Sequence, residues 1–227
     1  MFSIKRFFVF VITAVIAVSA VSAQMTVEES YLQELIENMI IRETARSNTR
    51  DQKLIALGYI EDAIERGNTS TEIRETLEFL SGEGRRIVAR HDGRVANNYP
   101  DVRRRSAEQL GRIGTPEAAK ALNEILLFEN EPMVLQQVIK SLGDIGINNN
   151  NETINHIVWT VRRFDNLNPD NLMALATIDA FEKIARANGG LNSPEAIQLL
   201  IRISQGHYIR PVQERARQLL ADLRTIQ

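Results

Sequence analysis

Apolar residues recur along this chain at three- and four-residue steps, and glycine, proline and amide clusters break the pattern at intervals. The pattern predicts ten helices and no strand. Leu32, Leu35, Ile36, Met39 and Ile40 mark the first helix, opened by the capping pattern Thr26-Val27-Glu28-Glu29. Leu54, Leu57, Ile60 and Ile64 mark a second, over residues 50–66, stopped by Gly67. Ile73, Leu77 and Leu80 mark a third, capped within residues 69–72 and ended at Gly82. Residues 82–98 then lose the period. Three glycines, several arginines and the pair Asn97-Asn98 predict a long ordered loop there, anchored by Ile87, Val88 and Val95.

Beyond Tyr99 the six prolines organise the chain. Pro100, Pro116, Pro132, Pro169, Pro194 and Pro211 each precede a helical apolar pattern. The first helical position tolerates proline because the missing N–H would have no partner there. Thr115 and Ser193 supply capping hydroxyls before Pro116 and Pro194, and Asn168 supplies an amide before Pro169.

Residues 100–114 and 132–146 repeat each other. A shift of 32 positions lays Pro100, Val102, Leu110, Gly111, Ile113 and Gly114 on Pro132, Val134, Leu142, Gly143, Ile145 and Gly146. A period in the thirties signals stacked helix pairs. The pairs run 100–113 with 116–127, 132–145 with 153–164, and 169–187 with 194–204; residues 211–223 close the array as a terminal cap. Unit starts are 32, 37 and 42 residues apart, and the extra residues fall in loops.

Residues 101–118, Asp-Val-Arg-Arg-Arg-Ser-Ala-Glu-Gln-Leu-Gly-Arg-Ile-Gly-Thr-Pro-Glu-Ala, resemble a HEAT-like repeat of the subtype also seen in phycobilisome lyases. The likeness extends over residues 99–224. It weakens in the second unit, where Leu135 replaces Arg103, and in the third, which lacks both glycines. The resemblance implies an all-α, right-handed α-solenoid and a scaffold rather than an enzyme. It also implies that Arg103 bonds between repeats. Physically, Gly111 allows close helix approach, and Gly114 suits a left-handed cap.

Lys5 and Arg6, an apolar run over residues 7–18, and Val21-Ser22-Ala23 have the layout of a signal peptide with cleavage before Gln24. The alternative is a retained anchor; the 17 residues from Phe7 to Ala23 sit at the short limit for a span. The expected organisation is a signal peptide at 1–23, an N-terminal helical region at 24–98 and repeats at 99–227. The expected address is export, to the periplasm or beyond, with no membrane span left after cleavage. Cysteine is absent, which excludes disulfides and thiolate metal sites.

Charge is unevenly spread. Residues 26–83 carry 13 acidic and 6 basic side chains, whereas residues 85–105 carry 7 arginines and 2 aspartates. The small negative net charge argues against nucleic acid. His91, His156 and His207 are isolated, and no phosphate loop or nucleophile elbow is present. No cofactor, metal or catalytic site is expected.

Two features suit binding. Arg85, Arg86, Arg90, Arg94, Arg103, Arg104 and Arg105 suit carboxylates or phosphates. The competing reading has them pairing within the chain, with the acidic helices. Trp159 points away from the stripe Ile154, Ile157, Val158 and Val161, and shares its face with His156 and Arg163. It is either an interface anchor or a side chain packed on the next repeat. The leading expectation is a scaffold for a protein partner. The alternatives are a binder of anionic envelope components, such as lipid headgroups or wall polymers, and a lyase-like accessory enzyme.

Overall fold

The computed structural model describes residues 27–165 and 169–225. The expected leader at 1–23 and the caps expected at Thr26 and Asn168 lie outside the described residues. Among the described residues, ten α-helices and one hairpin follow in order: α1 (Val27–Ala45), α2 (Arg50–Glu65), α3 (Thr71–Ser81), β1 (Arg90–His91), β2 (Arg94–Val95), α4 (Pro100–Ile113), α5 (Pro116–Phe128), α6 (Pro132–Ile145), α7 (Glu152–Asp165), α8 (Asn171–Asn188), α9 (Pro194–Gln205) and α10 (Arg210–Asp222).

The chain forms two compact units, Met1–Ile40 and Ile41–Gln227. The first is described from Val27. It is helical as the periodicity predicts, with Leu32, Leu35, Ile36, Met39 and Ile40 exposed.

The second unit is an all-α solenoid. Helices α4, α6, α8 and α10 pack in succession as one layer, and α5, α7 and α9 as the other. One apolar core runs through it from Ile41 to Leu223, including Leu57, Leu77, Val102, Leu122, Leu142, Phe181 and Leu199. Area removed from water at these positions is the main favourable term for such a stack.

The first layer is packed backbone to backbone. A Cβ placed on Gly111 would lie 2.6 Å from Ser141 Cβ, and one on Gly143 would lie 2.6 Å from Ala180 Cα. Ser141 Oγ also donates to the carbonyl of Ala107 at 2.9 Å, tying α6 to α4. Gly114 and Gly146 end their helices in the left-handed conformation, with φ of 71° and 75°. The third unit keeps this device. Its helix is longer, and Gly189, with φ of 69°, donates its N–H to Ala185 as the cap.

Two expectations need correction. Residues 82–98 hold an antiparallel hairpin, with Arg90 opposite Val95 and His91 opposite Arg94. Its turn is Asp92-Gly93, with both residues at positive φ, as a two-residue hairpin of this hand requires. Pro169 does not start a helix. It precedes the cap Asp170, whose Oδ1 accepts from the N–H groups of Leu172 and Met173. The other five prolines do occupy the first or second helical position. The hydroxyl caps form as expected: Thr115 Oγ1 accepts from Ala118 N at 3.2 Å, and Ser193 Oγ from Ala196 N at 3.3 Å.

Candidate functional site

The arginine segment divides into a buried part and an exposed part. Arg103 lies on the inward face of α4 and is fully buried. Its Nε donates to Glu129 Oε2 at 2.6 Å, and its Nη2 donates to Oε1 at 3.3 Å, a forked pair. Its Nη1 donates to the Glu83 carbonyl and to Asn98 Oδ1, both at 3.0 Å. The interior position demands this saturation, since a buried guanidinium without partners would carry a large desolvation penalty.

Glu129 sits at the junction between α5 and α6. Its Oε1 also accepts from the N–H groups of Asn130 and Glu131, at 2.8 and 2.9 Å. Arg85 brings its Nε within 3.3 Å of the same oxygen. Arg103 therefore ties α4 to the end of α5, its partner in the same helix pair, and to the segment that precedes α4.

A second buried pair continues this network. Lys53 Nζ donates to Glu83 Oε1 at 2.6 Å and to the Ala45 carbonyl at 2.9 Å. Asn97 Nδ2 donates to Glu83 Oε2 and to the Ile87 carbonyl, both at 2.7 Å. The chain from Gly82 to Asn98 is thus fastened at its base by Glu83, Asn97 and Arg103. Composition cannot show this, because Lys53, Glu83 and Glu129 are chemically ordinary and distant in sequence. The run Glu129-Asn130-Glu131 before Pro132 is the one local hint, since an acid there can accept from the helix start.

Arg104 pairs within its own helix with Glu108, and Arg105 pairs with Glu61 of the acidic α2 at 3.2 Å. Arg112, outside the expected segment, meets Glu61 and Glu65 at 2.9 and 3.0 Å. Its pKa is raised, first by the hydrogen bond to Glu65. Arg86 is exposed, 3.3 Å from Glu124 and stacked over Phe128. These pairs are solvated, and such pairs contribute little.

Arg90 and Arg94 are different. Both are exposed on the hairpin, and neither meets a carboxylate among the described residues. Arg90 Nη1 has a contact only with the Gly93 carbonyl, at 3.3 Å. The register places them on opposite faces of the ribbon. The candidate cationic contact thus contracts from seven arginines to a rigidly based hairpin tip.

On the second layer, Trp159 is 48% exposed, so it does not fill a gap against the next repeat. Arg163 stacks over its ring with the guanidinium carbon 4.6 Å from the centroid, and lies 5.1 Å from the Phe164 centroid. Arg163 Nη2 donates to the Glu129 carbonyl at 2.7 Å, while its Nε is buried without a hydrogen bond. Burial pulls the Arg163 pKa below its ordinary value, and the nearby Glu129 carboxylate opposes that shift. His156 Nδ1 lies 3.3 Å from Asn123 Oδ1, which ties α7 to α5. The structure thus brings Arg85, Arg103 and Arg163 together at one residue, Glu129.

Among the described residues, no group of three or more His, Asp or Glu is placed to hold a metal, and no helix is long and apolar enough to cross a membrane. No curated protein matches the chain. Residues 93–158 match the family model described as HEAT repeats, a stretch that holds α4, α5, α6 and the first half of α7.

Proposed function

We propose that the protein is an exported, non-enzymatic scaffold of the cell envelope that holds a protein partner on the Trp159 face, with the hairpin arginines as a second contact. HEAT-like repeats generally serve as protein-interaction scaffolds, which supports this reading. The observation that carries the reading is the stack of Arg163 on a half-exposed Trp159. A large aromatic side chain fixed before binding loses little entropy on contact, and such residues dominate interface energetics. Arg90 and Arg94 add two guanidinium groups with no carboxylate partner, suited to acidic side chains of the partner.

The test is a cross-linked pull-down from envelope extract with the wild type, Trp159→Ala and Arg90→Glu/Arg94→Glu. The reading expects one protein captured by the wild type and depleted in both variants. Equal capture by all three would place the contact elsewhere. If no protein is captured, and anionic vesicles or wall polymer bind in a manner that weakens with salt, the anionic-component reading replaces it.

A further inference from the structure

A groove opens on the first layer, remote in sequence and layer from the Trp159 face. It crosses α4, α6 and α8, and Arg104, Met133, Lys140, Leu172, Asp179 and Lys183 line it. Its lip is apolar: Met133 is 41% exposed and Leu172 is 64% exposed. Most of its charges are already answered. Arg104 meets Glu108, Lys183 meets Asp144, and Asp179 meets Arg215. Lys140 is exposed and has no partner among the described residues. The groove therefore suits an apolar helix face that carries an acid to Lys140.

The chain itself contains such a helix. Residues 27–40 hold four glutamates and no basic residue. Tyr31, Leu32, Leu35, Ile36, Met39 and Ile40 are all exposed on it. The spacing also fits. Met133 and Lys140 are seven residues apart on α6, and Leu35 and Glu28 are seven apart on α1. Seven residues are about 10 Å along a helix and return to the same face. Laid antiparallel to α6, the helix brings Leu35 to Met133 as Glu28 reaches Lys140.

We propose that residues 27–40 of one molecule occupy the α4/α6/α8 groove of a second copy, so that the protein self-associates. Reciprocal docking makes two equal contacts about a twofold axis. Doubling a single helix-in-groove contact is what brings such an interface toward the roughly 1,200–2,000 Å² of stable complexes.

The experiment is sedimentation velocity of the purified protein over a dilution series. The wild type is expected to convert reversibly between monomer and dimer. Lys140→Glu and Glu28→Lys should each raise the dimer dissociation constant about tenfold or more, since each places like charges together. The double variant Glu28→Lys/Lys140→Glu should restore it, because both copies then carry the swapped pair. Leu172→Asp should leave a monomer. Circular dichroism of each variant separates lost docking from lost folding, and the rescue by the double variant is immune to that ambiguity. A wild type that stays monomeric throughout, or a dimer indifferent to Lys140→Glu and Leu172→Asp, would overturn the proposal. The second result would point instead to α1 pairing with another α1.

Discussion

Gly143→Ala should weaken the protein although it replaces glycine in a helix interior. On an unhindered helix that exchange stabilises by about 1 kcal/mol. At Gly143 the new Cβ would lie 2.6 Å from Ala180 Cα and 2.8 Å from Ala180 Cβ. The first of these atoms is backbone, so no rotamer change relieves the contact. Helices α6 and α8 must separate, which loosens the buried packing between them. Overpacking of this kind costs about 1–3 kcal/mol, and the backbone clash puts this site near the upper end. The net expectation is a loss of about 2 kcal/mol. Gly58 on α2 is the internal control, because a Cβ there meets nothing within 4 Å. Gly58→Ala should gain about 0.5–1 kcal/mol. Urea unfolding followed by circular dichroism at constant m-value reads both. A Gly143→Ala midpoint at or above wild type would refute the claim that the first layer is packed backbone to backbone.

Other predictions follow from the buried polar groups. Arg103→Met leaves Glu129 buried with Arg85 as its remaining ionic partner, and should cost about 3–5 kcal/mol in the same assay. Adding Glu129→Met should recover part of that loss, as a double-mutant cycle would show. Burial first, then the hydrogen bond to Asp165, pushes the Tyr208 hydroxyl above its ordinary pKa. An acid raised on folding favours the neutral form, so its stabilisation is fully present below the unfolded value near pH 10 and is lost as pH rises from there through the higher folded value. Tyr208→Phe should therefore flatten the alkaline limb of a stability–pH profile. Glu182 is shifted the other way, first by its hydrogen bond from Arg215. Its stabilisation should hold above the unfolded carboxyl pKa near 4.3 and fade as pH falls, and Glu182→Gln should remove that dependence.

The helices were legible because each carries its own punctuation. Thr115-Pro116 and Ser193-Pro194 state a cap and a first turn, and Gly114 and Gly146 state the stops. Pro169 misled because Asp170, one residue later, is the better cap, with its carboxylate accepting two N–H groups. The hairpin was hidden for the opposite reason. Asp92-Gly93 is a strong turn signal, but its flanks are exposed and lack the apolar alternation that usually marks strands. Trp159 was placed on the right face by helical phase alone. The division of the arginines was not legible. Arg85 and Arg103 are set apart from five similar side chains because Glu129 meets both and the Glu83 carbonyl meets Arg103, and each of these contacts joins residues at least 20 positions apart.

That division is the central claim, and one paired measurement tests it. Arg103→Met and Arg90→Glu/Arg94→Glu would each be carried through urea unfolding and the cross-linked pull-down. The account predicts that Arg103→Met lowers the unfolding midpoint sharply, whereas Arg90→Glu/Arg94→Glu leaves it unchanged and still loses the captured partner. An Arg103→Met protein as stable as wild type, or a hairpin variant that keeps its partner in full, would contradict it.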